Sequence, residues 1–123
     1  MLIKDVGGLD FFTSRDGCRI KEVIHPANDG TDPGLSLAYA ELEPGQSTRP
    51  HRLGFLEIYY ILEGRGRMRA GDETAEIGPG RAVYIPAGQT QSIQNTGPGI
   101  LQFLCLCHPG YDPERDEVVQ RQD

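Results

Sequence analysis

The stretch HRLGFLEIYY, residues 51–60, sets an imidazole, a carboxylate and a phenol among apolar side chains. If it ran as one strand, His51, Leu53, Phe55, Glu57 and Tyr59 would face the same way, because strand side chains alternate with period two. Buried polar groups of these kinds need partners or a use. An imidazole and a carboxylate together suit metal ligation. Tyr59, two residues beyond Glu57, shares its face and stands as an acid–base group or a donor to Glu57. Arg49 and Arg52 flank His51, where a guanidinium could clamp an anionic substrate. Arg65, Arg67 and Arg69 alternate on one strand face and read as a solvated row. Cys105 and Cys107 share a face of the apolar run ILQFLCLC. Buried cysteine behaves mostly as a small hydrophobe, and neither thiol has a base in its own strand.

These groups must be held by short strands. CRIKEVIH (18–25), LSLAYAELE (35–43), FLEIYYIL (55–62), RMRA (67–70), TAEI (74–77), RAVYIP (81–86), TQSIQN (90–95) and ILQFLCLC (100–107) each read as a strand. Glycine- and proline-rich turns separate them: PANDGTDPG, EGRG, GDE, GPG and TGPG. Turns at this spacing predict an all-β sandwich or barrel. The polar tail YDPERDEVVQRQD (111–123) predicts a short helix, with Asp112 as N-cap and Pro113 in its first position, or else a frayed end.

The chain has 123 residues, which suits one domain with a core of its own and no disulfide staples. Three cysteines, two of them in a C-x-C on one strand face, predict reduced thiols. No apolar run approaches the roughly 20 residues of a membrane helix, and MLIKDVGGLDFF lacks a signal-peptide core. The expectation is a soluble cytoplasmic protein with no membrane partner. A formal net charge of −6 argues against nucleic acid, whose binding rests on basic surface.

Two motifs carry a family resemblance. GQSTRPHRLGFLEIYYILEG places Gly45, His51, Leu53, Glu57 and Gly64 at the spacing G-x5-H-x-H-x3-E-x6-G, with Leu53 in place of the second histidine. The segment 80–95 places Gly80, Pro86, Gly88, Gln91 and Asn95 at the spacing G-x5-P-x-G-x2-H-x3-N, with Gln91 in place of the histidine. The sequence resembles a single-domain cupin. The resemblance implies an all-β jelly-roll barrel, a double-stranded β-helix, over 1–123, with its core over about 18–109 and the tail over 110–123. Gly45, Gly64, Gly80, Pro86, Gly88 and Asn95 then serve as structural motif residues, in accord with the turn rules.

The resemblance also implies a divalent metal held by the motif residues inside the barrel. Here it leaves His51, Glu57 and Gln91: one imidazole, one carboxylate and one amide. That set suits Mn²⁺, Fe²⁺ or Mg²⁺, with Zn²⁺ also able to bind. The alternative is that the three hydrogen-bond one another with no ion. No organic cofactor is implied. Leu53, Tyr59, Cys105, Arg49 and His25 are the candidates to line the substrate pocket, and His25 is also the candidate to replace the ligand lost at Leu53. Three functions follow: a metal-assisted enzyme acting on a small molecule, with Tyr59 as its acid or base; a metal-free small-molecule binder; or a vestigial pocket in a homodimer with a structural role. Cupins host many activities, so the fold does not choose among them.

Overall fold

A computed structural model describes residues 1–119. The chain folds into two antiparallel sheets packed face to face, the arrangement of a jelly roll. The strands are β1 (Phe12–Thr13), β2 (Arg19–Ile24), β3 (Ser36–Leu42), β4 (His51–Leu53), β5 (Leu56–Glu63), β6 (Gly66–Ala70), β7 (Glu73–Ile77), β8 (Ala82–Ile85), β9 (Gln91–Asn95), β10 (Leu101–His108) and β11 (Asp116–Val118). One sheet has the order β1-β2-β3-β10-β5-β8, the other β11-β4-β9-β6-β7. A helical turn, α1 (Pro26–Asp29), follows β2.

The apolar alternation seen in the sequence becomes the inward faces of these strands. Along β10, Leu101, Phe103, Cys105 and Cys107 are buried while the residues between them are partly exposed. The first three join Ala40, Leu42 and Ile61 from their own sheet, and Met68, Ile77 and Ile93 from the other. Each buried Leu, Ile, Met or Phe among them contributes about 1.5–3 kcal/mol over its exposed state. A second, smaller cluster joins Leu53, Phe55 and Cys107, with Tyr111 against it.

HRLGFLEIYY is two strands, not one. β4 lies in the five-stranded sheet and β5 in the six-stranded sheet, with Gly54 and Phe55 as the crossing. His51 and Glu57 therefore reach the barrel interior from opposite walls. Gly64 closes the β5–β6 turn at φ +89°, and a Cβ there would lie 2.7 Å from Ile100 O. Only glycine meets both demands.

The tail departs from expectation. Asp112 does cap a turn, accepting from Glu114 N, but the turn is a single 3-10 turn over Pro113–Arg115. The chain then extends as β11, antiparallel to β4, with Asp116 opposite Leu53 and Val118 opposite His51. An unpaired edge on β4 offers its backbone groups to a passing strand, and this pairing outweighs the weak helix signal. Residues 120–123 of the expected tail lie outside the described residues. No helix among the described residues is long and apolar enough to cross a membrane.

Candidate functional site

His51 is the hub of the site. Its ring lies on β4, directly across from Gln91 on β9 and beside β11. Nδ1 meets Asp116 Oδ1 at 3.0 Å, and the second oxygen of Asp116 accepts from the Tyr111 hydroxyl. Nε2 lies 3.2 Å from Gln91 Nε2 and 3.4 Å from Asp16 Oδ2. Gln91 Nε2 also donates to Glu57 Oε1 at 2.6 Å and approaches the Tyr59 hydroxyl at 3.2 Å. Cys107 Sγ donates to Glu57 Oε2 at 3.4 Å. The amide has two hydrogens for three acceptors, so one contact is always shared.

The charges are arranged around the ring. Burial works against the imidazolium, but the Asp116 hydrogen bond and the charges of Asp16, Asp116 and Glu57 outweigh it and raise His51 above the usual imidazole value. Burial would raise Asp116 too, yet its bonds to His51 and Tyr111 hold it below the ordinary carboxylate value. Glu57 goes the other way: burial pushes its carboxyl up, despite donors from Gln91 and Cys107 and the nearby His51 ring. In the neutral ring, Nδ1–H donates to Asp116 and Nε2 accepts from Gln91. In the imidazolium, Nε2–H has Asp16 Oδ2, 3.4 Å away, as its acceptor.

A cavity of about 230 Å³ opens beside these groups. Its polar end is Asp16, His51, Glu57, Tyr59 and Asp116, and its walls include Ile20, Ala38, Leu53, Phe103 and Cys105. Cys18 and Cys107 line it as well, so all three thiols face one space. Each thiol is buried and free, and burial drives each thiol's pKa upward, away from the thiolate. The Tyr59 hydroxyl is likewise pushed up by burial and by Glu57. Tyr59 therefore enters as a neutral hydrogen-bonding hydroxyl packed on Phe103, their ring centroids 4.9 Å apart.

The structure brings together His51, Glu57, Gln91, Tyr59, Leu53 and Cys105 from the sequence-based set. Gln91 stands behind the cavity wall, holding His51 and Glu57 rather than facing the space. Arg49 and His25 fall elsewhere. Arg49 is exposed, and its backbone N–H, not its guanidinium, serves the site by donating to Asp16 O at 2.7 Å. His25 caps α1 with Nδ1 and meets Tyr111 O with Nε2 at 2.7 Å, which uses both ring nitrogens. Gly45, Gly64, Gly80 and Gly88 all have positive φ, Pro86 follows the end of β8, and Asn95 bonds Leu42 O and Gly99 O. Sequence reasoning missed Asp16, Asp116 and Tyr111. The one local signal was the alternation in Asp116-Glu117-Val118, whose middle residue is exposed.

The cupin-domain family model matches residues 38–107. The chain belongs to the cupin family. This cupin is 37% identical over 110 residues to an uncharacterized protein of Methanocaldococcus jannaschii, covering 89% of this chain and 87% of that one. It is also 37% identical over 71 residues to the oxalate-binding protein of Thermotoga maritima, across 57% of this chain and 59% of that protein. Among solved structures, the polyketide cyclase RemF of Streptomyces resistomycificus superposes with a TM-score of 0.83 at 23% identity, over 100% of this chain and 88% of that one. At that identity the likeness speaks for the fold alone.

The cupin motif implies a metal, and the donors can be tested for it. Among the described residues, no group of three or more His, Cys, Asp or Glu side chains is placed to hold an ion. Leu53 supplies no donor. Gln91 turns its amide nitrogen, which has no free lone pair, toward both His51 and Glu57. As arranged, the inherited set is a closed hydrogen-bonded chain, and it does not fit an ion.

Proposed function

We propose that this cupin binds a small organic molecule between its sheets and that His51 moves a proton there without a metal. The observation that carries the reading is His51 held between two carboxylates at the inner end of the cavity, Nδ1 on Asp116 and Nε2 toward Asp16. Asp116 fixes the tautomer, so that Nε2 of the neutral ring carries the lone pair, which the Gln91 amide holds until a donor of the bound molecule takes its place. As a base, Nε2 takes a proton from the bound molecule, and the imidazolium is stabilised by Asp16 and Asp116. As an acid, it returns that proton to another atom of the same molecule. Tyr59 and Glu57 offer hydrogen bonds that orient the ligand. Apolar walls with a few convergent polar groups suit a small-molecule site.

The Nδ1–carboxylate contact would equally orient a metal-binding imidazole, so the test includes metal. Protein prepared without an affinity tag is titrated with Mn²⁺, Fe²⁺, Zn²⁺ and Mg²⁺ and screened by thermal shift against metabolite classes with and without chelator. The expected result is ligand stabilisation that persists in chelator and is lost in His51→Gln. Stoichiometric metal binding that His51→Ala removes, with ligand stabilisation only in its presence, overturns the reading.

A second copy of the chain is the proposed protein partner. The outer face of the six-stranded sheet aligns Leu104, Tyr60 and Ala82 in one cross-strand row and Leu106, Ile58 and Tyr84 in the next. Tyr60 and Tyr84 are exposed there. Both rows are uncharged, so two copies that each carry −6 can meet there without opposed charges in contact.

A further inference from the structure

We propose that the molecule this cavity takes is a one- or two-ring compound that brings hydrogen-bond donors, a hydroxyl or an amine, and carries no carboxylate. The inference rests on the reading of the cavity as a ligand site and goes on to the ligand's chemistry.

Size comes first. An apolar cavity of about 150 Å³ holds benzene, and this one measures about 230 Å³. The space suits one substituted ring or two fused rings. The walls suit such a ring: Cys18, Ile20, Ala38, Leu53, Phe103 and Cys105 present carbon and neutral sulfur. A small, fully polar ligand would leave most of that wall without a matching surface.

The polar end then sets the ligand's functional groups. Asp16 takes its hydrogen bonds on Oδ1, from the Ser14 hydroxyl and from Cys18 N at 3.2 Å. Its Oδ2 is left on the His51 side, 3.4 Å from Nε2. Asp16, Glu57 and Asp116 line the space as carboxyl groups, with His51 as the base among them. Arg15 is the other basic side chain of the described lining, but it is exposed and donates to Pro113 O at 2.9 Å. The inner end thus offers acceptors: Asp16 Oδ2 and the Tyr59 oxygen. A hydroxyl or amine can donate to them. A carboxylate would lose its water and meet the charges of Asp16 and Asp116, with one imidazole to answer them.

The test is a matched set of probes measured by titration calorimetry on the full chain at neutral pH in chelator: 2-naphthol, 2-naphthylamine, 2-naphthoate and oxalate. The expected order places the naphthol and the amine about tenfold or more tighter than the naphthoate, the scale of one hydrogen bond to a charged acceptor, with no heat from oxalate. Asp16→Asn is expected to narrow the gap, and Ala38→Phe, which fills the cavity, to abolish binding of every ring probe. Naphthoate or oxalate binding as tightly as the naphthol overturns the ligand class and leaves the cavity reading standing. Absence of binding by all four overturns both. Ring binding that survives Ala38→Phe places the probe elsewhere and also overturns the proposal. If either variant fails to fold, the ranking on the unaltered chain decides alone.

Discussion

At the scale of single residues, His51 sets the behaviour of the site. Its raised pKa means that the folded state holds the ring proton more tightly than the unfolded chain does. The stability this confers is complete below the ordinary imidazole value and is lost as pH rises through the folded value. Glu57, also raised, adds a loss of the same sign as pH climbs through its own folded value. Asp116, lowered, has the opposite sense: its contribution is present at neutral pH and fades in acid. The groups facing the ring are Asp116 from β11, Asp16 from the β1–β2 turn, Glu57 from β5 and Gln91 from β9. Proton resonances followed through a pH titration should show His51 titrating above its ordinary value. Asp116→Asn should bring it down, and a His51 titration unmoved by that change would dismiss the coupling. Gly64→Ala should cost about 2 kcal/mol or more in urea unfolding, from positive φ and from contact with the Ile100 backbone. His51, Glu57 and Gln91 were legible because their spacing is local to two motifs. Asp16 and Asp116 were not, because no short-range pattern encodes partners that arrive from the β1–β2 turn and, by strand pairing, from 65 residues further on.

At the scale of elements, the deciding feature is the break at Gly54. Period-two alternation, applied across 51–59, puts His51 and Glu57 on one strand face. The chain instead changes sheets, and the two side chains meet from opposing walls with Gln91 between them. Parity along one strand and a change of sheet both turn the pair inward, and only sheet membership separates the two cases. Most strands were legible to within a residue or two, since each is bounded by glycine or proline. β1, β4 and β11 were not, being two or three residues long, too short for alternation to register. β11 matters most. Ending the chain at Tyr111 should leave the strand signal in far-ultraviolet circular dichroism nearly intact. The same truncation should lower the His51 pKa as Asp116→Asn does and weaken binding of a ring probe about tenfold, the scale of one charge-assisted hydrogen bond.

At the scale of the whole molecule, the outer sheet face and the interior site make separate demands. The proposed self-association predicts a dimer at micromolar concentration by light scattering. Tyr60→Lys with Tyr84→Lys should shift it to monomer while ring binding in the cavity is unchanged; a monomer from the start would dismiss the interface. The jelly roll itself was legible from turn spacing and two motifs, because a barrel repeats its rule at every strand. The cavity was not, because its shape is a product of packing between two sheets rather than a property of any segment. The late position of β11 has a further consequence for how the protein comes into being. Ten strands precede it in the chain, and they include every buried member of the main core cluster that lies in a strand. In refolding from denaturant the barrel can therefore close on its core before β11 docks and brings Asp116 to the ring. Fold and competence are reached at different moments, and a chain caught between them would be a finished barrel with an untuned histidine.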